Sequence, residues 1–374
     1  MTEDFLVVVA QGTGSFDAER VRHLLKASGL SAKEVHLERS AGAVASMLAT
    51  FKAVWNSQQK LIFMEGTGLR VGLPIIIARV LRGRRLKYVV SSGDAIDRFI
   101  RNRYGYIPGL IARCYETLLY RNAALFIGWT PYLVGRAIRM GAPTGLTIEG
   151  QAPQSVGDTV GPRRAEIRSR LGVKPNNLLV GVTGSINWSV RQSYAYGLEL
   201  VESAALATRK DVQFIVVGSG SGRAKLIARA ASNGAPVIFV ERVPRQELLA
   251  LMAALDVAVV AQTPDEVGLL RLTTKLPEYL AVGTPVIMPA MPGAFDYLPA
   301  GSDSPAILVP ATHPGRREFW RRLALVIDEL DRENLQKRSE AALSAAKRFG
   351  THEAAGKLKR AVSMLTEEGQ NGGF

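Results

Sequence analysis

The sequence from Asp256 to Met291, DVAVVAQTPDEVGLLRLTTKLPEYLAVGTPVIMPAM, contains a complete strand–loop–helix–strand unit. The short apolar run Val257–Val260 ends at polar and proline residues, which is typical of a buried parallel strand. Lys275–Ala281 is predicted to be a helix, and Gly283 follows it where a C-terminal cap needs a residue that takes positive φ. Thr284–Met288 is then predicted to be the next strand. This unit indicates an open α/β sheet.

Polar residues of this unit gather where its loop enters the helix. The loop contains two acids, Asp265 and Glu266, and Lys275 and Glu278 lie three residues apart on one face of the helix. In open α/β sheets this edge faces the ligand crevice, and helix N-termini there bind anions. A cation and a carboxylate in this position suit a phosphate and a ribose hydroxyl. The alternative is that Lys275 and Glu278 form only an ion pair on the helix surface.

Length and composition bound the class of protein. A chain of 374 residues, 47% hydrophobic and 21% charged, is typical of a globular protein with two domains. The single Cys114 excludes an intrachain disulfide, and the four histidines show no metal-ligand spacing, so no metal site is expected. No apolar run reaches the ~20 residues of a membrane-spanning helix. We expect a cytoplasmic protein that is soluble or bound peripherally to a membrane.

The alternation of strand-like and helix-like segments predicts two doubly wound domains. Residues 1–155 form the first, in which Gly12 and Gly14 belong to a loop between the first strand and the first helix. Residues 151–162 have the Gly/Pro/polar composition of a linker, and 163–349 form the second domain. A last helix, 350–366, is expected to pack back on the first domain. The predicted fold class is α/β, with two Rossmann-like domains that face a central cleft.

Positive charge is concentrated in one part of the chain. The formal net charge is +14, and residues 51–150 contain 15 Lys/Arg against 5 Asp/Glu. Basic residues mixed with aromatic and apolar ones are typical of a surface that binds anionic lipid. The alternatives are a basic surface that serves solubility and a nucleic-acid surface, but no nucleic-acid-binding motif accompanies the charges. The cluster comprises Arg79, Arg82, Arg84, Arg85, Lys87, Arg98, Arg101 and Arg103, with Tyr104, Tyr106 and Ile107 beside it.

Three segments resemble glycosyltransferases of the GT-B fold, in particular the family 4 (group 1) enzymes that use nucleotide-sugar donors. VPRQELLALMAALDVAVV at 243–260 is similar to the helix and strand that precede the nucleotide site of that family. TKLPEYLAVGTPVI at 274–287 is similar to the pattern of the site itself. IARCYETLLYRNAALFIGWTPYLVGRAIRMGAP at 111–143 resembles the helix–strand–helix that closes the acceptor domain. The resemblance implies the GT-B fold, with the donor on the second domain and the acceptor on the first.

The resemblance also implies roles for residues of the second domain. Glu278 corresponds to the glutamate that hydrogen-bonds the donor ribose, and Lys275 to a residue near the donor phosphates. Of the two basic residues that hold the pyrophosphate in the family, one position falls on Arg191 and the other on Ser185. The missing cation is then supplied by Arg271 or Lys275. For Arg191 an ordinary loop position is the alternative.

Two further positions depart from the family pattern. The family has a second glutamate eight residues before Glu278, where this chain has Leu270; Glu266 lies in the same loop but at another spacing. A histidine usual at the end of an acceptor-domain strand is replaced by SSGD, which leaves Asp94 as the candidate catalytic group. Asp94 is expected to orient or deprotonate the acceptor hydroxyl, or else to cap the helix that follows it.

The prediction is therefore a glycosyltransferase that needs no metal or other cofactor. Arg191, Lys275 and the glycine loops at 12–14 and 218–222 would neutralise the leaving diphosphate. The acceptor is expected to be lipid-linked or an oligosaccharide at the cytoplasmic membrane face, with configuration retained if the chain follows its family. The alternatives are a nucleotide-sugar epimerase of the same architecture and a non-catalytic protein that binds sugar nucleotides.

Overall fold

A computed structural model describes residues 5–12, 15–35, 37, 42–59, 61–83, 86–150 and 163–371. The chain divides into two compact units, each described here by itself. The first comprises Met1–Gln151, Leu270–Leu272 and Gly350–Phe374, and the second comprises Ala152–Leu269 and Thr273–Phe349. The predicted linker at 151–162 lies outside the described residues, as do three residues that the sequence singles out: Gly14, Arg84 and Arg85.

The first unit is built on a parallel sheet of six strands in the order β2-β1-β3-β4-β5-β6. The chain adds β2 on one side of β1 and β3 on the other, so the order reverses between β1 and β3. In open α/β sheets such a reversal leaves a crevice at the carboxyl ends of the strands. The strands are β1 (Phe5–Val9), β2 (Ala32–Val35), β3 (Leu61–Glu65), β4 (Lys87–Ser92), β5 (Leu125–Gly128) and β6 (Gly145–Thr147).

Helices cover both faces of this sheet. Leu6 and Val8 of β1 belong to one apolar core, whereas Phe5 and Val7 belong to another on the opposite face. Burial on both faces explains why the strands are continuously apolar rather than alternating. The helices are α1 (Phe16–Ser28), α2 (Ala43–Trp55), α3 (Leu69–Arg82), α4 (Ile96–Tyr104), α5 (Tyr106–Asn122), α6 (Pro131–Arg139) and the C-terminal α15 (Thr351–Asn371).

The second unit has a six-stranded parallel sheet in the order β12-β11-β10-β7-β8-β9. Its order reverses between β7 and β10, which are hydrogen-bonded neighbours. The strands are β7 (Leu178–Thr183), β8 (Val212–Val217), β9 (Val237–Val240), β10 (Val257–Val259), β11 (Val286–Pro289) and β12 (Ala306–Val309). The helices are α7 (Arg163–Arg170), α8 (Leu198–Leu206), α9 (Arg223–Asn233), α10 (Arg245–Ala254), α11 (Lys275–Ala281), α12 (Pro292–Tyr297), α13 (Arg317–Asp328) and α14 (Arg332–Ala346), with short 3₁₀ turns at Gly301–Asp303 and Lys347–Phe349.

The predicted fold class, two doubly wound α/β units, is confirmed by the two sheets. The helix predicted over Lys275–Ala281 has these bounds in the structure, and Gly283 after it has φ 74°. Other bounds were wrong. The strand predicted at Thr284–Met288 runs from Val286 to Pro289, and the strand predicted at Val257–Val260 ends at Val259.

Candidate functional site

The reversal point of the second sheet brings two loops together. One loop follows β7 and the other follows β10, and Gln192 Nε2 of the first donates a hydrogen bond to Asp265 Oδ2 of the second at 3.4 Å. Asp265 Oδ1 accepts from the backbone N–H groups of Val267 and Gly268, which fixes the second loop. The predicted site residues Arg191 and Glu266 are each next in sequence to one partner of this contact, and both are exposed.

Glu278 is the buried carboxylate of the site, with 3% of its side chain exposed. Its Oε2 accepts from Lys275 Nζ at 2.7 Å, and its Oε1 accepts from Arg245 Nη1 at 3.0 Å. Lys275 and Glu278 thus form the ion pair that their spacing predicts, but the pair is not on the helix surface, since the carboxylate is buried. A carboxylate oxygen can accept two hydrogen bonds, so Glu278 keeps the capacity to accept from a ligand hydroxyl.

Arg245 is a site residue that the sequence analysis missed. It begins α10 and lies 33 residues before Glu278. With Lys275 it places two cations on one carboxylate, and both side chains are partly exposed. The excess positive charge beside Glu278 suits an anionic ligand group. Arg245 is visible in the sequence as the arginine of VPRQELL. A spacing of 33 residues, however, does not indicate that the side chains of Arg245 and Glu278 are in contact.

A buried tyrosine positions α11 against the end of β7. The Tyr279 hydroxyl accepts from the Thr183 backbone N–H at 2.9 Å and is 2.9 Å from the Thr183 hydroxyl. Thr183 is the last residue of β7, so α11 lies beside the strand end that opens into the first loop. Burial raises the pKa of the Tyr279 hydroxyl above its ordinary value, which keeps this contact neutral. Glu278 is therefore carried by a rigid element rather than by a loop.

The far end of the β7 loop is held by Glu199, which is fully buried. Its carboxyl group accepts from the Tyr194 hydroxyl at 2.8 Å and from the Gly197 N–H at 3.1 Å. Burial raises the pKa of Glu199 to about 7, although these hydrogen bonds act in the opposite direction. Gly197 has φ 95°, a conformation that ends the loop and that favours glycine. The helix α8 therefore begins only at Leu198.

The glycines at 218–222 have a packing role that limits their use for a phosphate. A Cβ at Gly218 would lie 1.9 Å from the Gly184 carbonyl oxygen, and one at Gly220 would lie 2.4 Å from that of Ile186. The Gly218 N–H donates to Val240 and the Gly222 N–H donates to Ile186. These two N–H groups are thus occupied within the fold, and the expectation that the 218–222 loop serves a diphosphate stays a prediction.

In the first unit, the Gly12 N–H is also occupied. It donates to the Val9 carbonyl at 3.2 Å, and Gly12 has φ 84° in the turn before α1. The expectation that the 12–14 loop serves a phosphate stays a prediction, and Gly14 lies outside the described residues. Ser15 caps α1 and accepts from the Ala18 N–H at 3.2 Å.

Asp94 does not cap the helix that follows it. The N–H groups of Ile96 and Asp97 donate instead to the carboxylate of Glu116, which is 0% exposed and comes from α5. Asp94 is partly exposed, and its Oδ1 lies 3.4 Å from Arg271 Nε, which belongs to the same unit. The structure thus brings together two residues that the sequence treats separately. Leu270, which replaces the family glutamate, packs against the apolar core of this unit.

Comparison with known families finds a match that lies mostly in the second unit. Residues 177–324 match the family model described as "Glycosyl transferases group 1". These residues contain β7, α11 and the two loops of the site. The match extends over the segment in which sequence analysis placed the donor site.

A curated relative and several solved structures agree with this match. Over 213 residues, 54% of this chain, the sequence is 29% identical to the 2-deoxystreptamine glucosyltransferase of Streptomyces kanamyceticus, and the match spans about half (51%) of that protein. The fold is similar to that of HepE from Anabaena, solved with UDP and glucose: TM-score 0.72, 17% identity, 96% of this chain and 100% of that one. Sucrose-phosphate synthase from Thermosynechococcus elongatus gives a TM-score of 0.75 at 15% identity, over 97% of this chain and 99% of that one. The resemblance to GT-B glycosyltransferases is confirmed.

Proposed function

We propose that the protein transfers a sugar from a nucleotide-sugar donor to an acceptor hydroxyl. One observation carries the proposal: a buried carboxylate, Glu278, stands with Lys275 and Arg245 beside the reversal point of the sheet, within the segment that matches the group 1 glycosyl transferase model. A carboxylate there accepts hydrogen bonds from ribose hydroxyls, and the two cations attract the adjacent diphosphate. No comparison favours the epimerase alternative.

The remaining site residues take roles around the donor and the acceptor in this proposal. Arg191, on the exposed loop that Gln192 ties to Asp265, binds the diphosphate as it leaves, and Lys275 and Arg245 stabilise the same charge, without a metal. Glu266 faces the donor sugar from the second loop. Asp94, with Arg271 beside it, orients or deprotonates the acceptor hydroxyl. The configuration of the sugar is retained.

A panel of sugar nucleotides tests the proposal, with UDP-glucose as the first member because HepE was also solved with it. A donor at 100 times its Kd stabilises the folded state by about 2.7 kcal/mol. For a domain of this size we expect an increase in Tm of roughly 5–10 °C, measured by thermal shift, with nucleoside diphosphate released when an acceptor extract is added. Isomerised sugar without release would support the epimerase, and stabilisation without turnover would support the non-catalytic protein.

We further propose that the first unit binds the anionic inner face of a membrane and there meets a lipid-linked or glycan acceptor. No helix among the described residues is long and apolar enough to cross a bilayer. One side of α5 nevertheless exposes a continuous apolar stripe at helical spacing. Its members are Ile107 (71% exposed), Leu110 (49%), Ile111 (66%) and Leu118 (47%), with Tyr106 (69%) at the start of the helix.

Arginines on α4 and α5 provide the charge for this surface. Arg101 and Arg103 are exposed on α4 and Arg113 is exposed on α5. Two members of the basic cluster that the sequence suggested form hydrogen bonds within the fold. Arg82 donates to the carbonyls at the end of α2, and Lys87 donates to the carbonyl of Leu365. Together the apolar stripe of α5 and the neighbouring arginines form what we call the α4–α5 face. Each arginine near an anionic surface contributes about 1 kcal/mol.

Cys114 provides a direct test of membrane binding. It is the single cysteine of the chain, and it is exposed in line with Ile107, Ile111 and Leu118. An environment-sensitive dye on Cys114 is expected to shift to the blue with vesicles that contain phosphatidylglycerol and to change little with pure phosphatidylcholine.

The control for this test is a matched pair of substitutions. Ile111→Asp is expected to weaken vesicle binding about tenfold, because the free energy gained by burying the isoleucine side chain in the membrane, ~1–2 kcal/mol, is lost. Leu325→Asp, at a 52% exposed apolar residue of α13, is expected to leave binding unchanged. Equal binding to neutral and anionic vesicles, or equal effects of the two substitutions, would contradict the assignment of the α4–α5 face.

A further inference from the structure

Residues 189–194 of the β7 loop form a short hairpin. The Ser189 N–H donates to the Tyr194 carbonyl at 2.8 Å, and the Tyr194 N–H donates to the Ser189 carbonyl at 3.3 Å. The four residues between them make the turn and reach into solvent: Val190 is 82% exposed, and Arg191 is exposed as well. Arg191 is therefore carried at the tip of a hairpin, and its position depends on how firmly the hairpin is held.

The turn of this hairpin has an unfavourable backbone conformation. Ser193 has φ 49°, and it is the one residue with positive φ among the described residues that are not glycine. Such a conformation costs free energy in a residue with a side chain, so it persists where surrounding contacts impose it. The Gln192 N–H donates to the Ser189 hydroxyl at 3.3 Å and Gln192 Nε2 donates to Asp265 at 3.4 Å, and both distances are long for a hydrogen bond. Firm attachment of the hairpin at its base therefore helps to keep the turn in this conformation.

Tyr194 attaches the hairpin to the interior of the second unit. It is 5% exposed and belongs to the apolar core that β7 and α8 share. Its ring also packs against the loop after β12. The ring centroids of Tyr194 and His313 are 5.5 Å apart, and a Cβ on Gly315 would lie 3.4 Å from Tyr194 Cδ2. A ring packed in this way cannot move without disturbing the core, so the residue that follows Ser193 is fixed.

The hydroxyl group of Tyr194 is held by Glu199. It donates to Glu199 Oε2 at 2.8 Å. The carboxyl group, which also accepts from the Gly197 N–H, is completely buried and belongs to the first turn of α8. Burial raises the pKa of the Tyr194 hydroxyl, and the Glu199 carboxylate acts in the same direction, so the hydroxyl keeps its proton and remains a donor. A side chain of a regular helix thus holds the base of the hairpin.

This buried polar pair is better explained by positioning than by stability. A buried carboxyl group is costly to desolvate, and two apolar side chains of the same shape can replace a buried hydrogen-bonded pair at little cost. Apolar side chains do not, however, fix an orientation as a hydrogen bond does. Orientation matters for Arg191, because a guanidinium group binds phosphate oxygens through two parallel N–H groups in one plane. A loop that is ordered in advance also loses less entropy when the ligand binds.

We propose that Tyr194 and Glu199 are positioning residues, which hold the 189–194 hairpin so that Arg191 binds the leaving diphosphate. The inference rests on the proposed function, in which Arg191 has this role. Glu199 fixes the Tyr194 hydroxyl, Tyr194 fixes the base of the hairpin, and the hairpin presents Arg191 at its tip. Both residues act through Arg191 rather than on the donor itself. Weakening the attachment is therefore expected to lower the affinity for a diphosphate only while Arg191 is present.

Inorganic pyrophosphate is the probe, because its binding depends neither on the base nor on the sugar of the donor. Its Kd for the full chain is measured by phosphorus NMR at constant ionic strength. Arg191→Ala is expected to weaken binding about tenfold or more, because hydrogen bonds to a charged group are lost. Tyr194→Phe is expected to weaken binding about fivefold, and to cause no further loss in a chain that already carries Arg191→Ala. A merely structural role of Tyr194 would weaken binding equally with and without Arg191.

Hydrogen exchange at the amides of residues 189–194 measures the attachment of the hairpin without any ligand. Tyr194→Phe is expected to accelerate this exchange about tenfold. The matched control is Tyr88→Phe, because Tyr88 is likewise buried and its hydroxyl donates to the Leu119 carbonyl at 2.6 Å in the first unit. The control is expected to lower the Tm as Tyr194→Phe does, with the pyrophosphate affinity and the exchange at 189–194 unchanged.

Glu199→Gln provides a second variant should Tyr194→Phe fail to fold. The amide fills the same space and keeps one oxygen that accepts from the Tyr194 hydroxyl. Its exchange at 189–194 is expected to increase about threefold. The loss of pyrophosphate affinity is expected to be smaller than that of Tyr194→Phe, and again to require Arg191.

Three outcomes would overturn the positioning role. These are equal losses of affinity in Tyr194→Phe with and without Arg191, an unchanged exchange rate at 189–194, and no binding of pyrophosphate by the wild-type chain. Binding of the sugar-nucleotide panel to the same samples separates this inference from the proposed function. A wild-type chain that binds pyrophosphate through Arg191 and Tyr194 but binds no sugar nucleotide contradicts the proposed function alone. A chain that binds sugar nucleotides equally well with Tyr194→Phe contradicts the positioning role alone.

Discussion

Replacing Glu278 by alanine is expected to abolish measurable binding of the nucleotide-sugar donor. Hydrogen bonds to a charged group are each worth about 1.5–3 kcal/mol, and the proposed role gives Glu278 two of them with the ribose. The expected loss of affinity is therefore roughly 100-fold to 1000-fold or more. The change also leaves Lys275 and Arg245 without their common carboxylate. Isothermal titration with the donor found in the sugar-nucleotide panel provides the measurement.

Two controls separate donor binding from folding. Glu278→Gln keeps the shape of the side chain but removes its charge, so it is expected to fold and to show an intermediate loss of affinity. Glu318→Ala changes an exposed carboxylate of α13 that has no role in the proposed site, and it is expected to leave the donor affinity unchanged. Donor affinity unchanged in a folded Glu278→Ala protein would remove the basis for the proposed function.

Replacing Arg136 by methionine is expected to cause the largest loss of stability. Arg136 Nη2 contacts Asp97 Oδ1 and Glu116 Oε2, both at 2.5 Å, and the two carboxylates are 3% and 0% exposed. Burial raises the pKa of Glu116, and Arg136 is the main group acting against that effect. Without the guanidinium, two buried carboxylates would face each other. Removal of one partner from a buried ionic group costs about 3–5 kcal/mol of stability. Urea denaturation of the full chain measures this loss as a decrease in the free energy of unfolding.

Neighbouring residues supply the controls for Arg136. Arg139→Met changes an exposed arginine one turn further along α6 and is expected to change stability by less than about 0.5 kcal/mol. Adding Glu116→Gln and Asp97→Asn to Arg136→Met is expected to recover part of the loss, because no buried charge remains. If Arg136→Met and Arg139→Met were equally stable, the three-residue network would not matter for this fold.

Local sequence signals predicted much of the architecture, and tertiary contacts explain where they failed. The apolar strands, the α11 helix and the positive φ of Gly283 follow from residue type and spacing alone. The helix that follows Asp94 was expected, but its cap was not predicted, because the first N–H groups of α4 are capped by Glu116 from another helix and not by a neighbour in sequence. No local pattern marks such a helix start.

The same distinction applies to the sites. Glu278 and Lys275 are three residues apart, so their contact could be predicted from helix geometry. Arg245 reaches Glu278 across 33 residues, and Tyr194 meets His313 from another loop of the same unit. Those contacts depend on the order of strands in the sheet, which spacing does not determine.

The C-terminal helix α15 has a consequence for synthesis on the ribosome. Ala355, Leu358 and Val362 of this helix complete the same apolar core as Val21 and Leu24 of α1. The nascent first unit therefore exposes that side of its core while some 200 further residues are translated. The second unit emerges whole in the meantime and is free to fold first. Chaperones that bind exposed apolar segments would thus have more time to bind the first unit than the second, although the first unit is synthesised earlier.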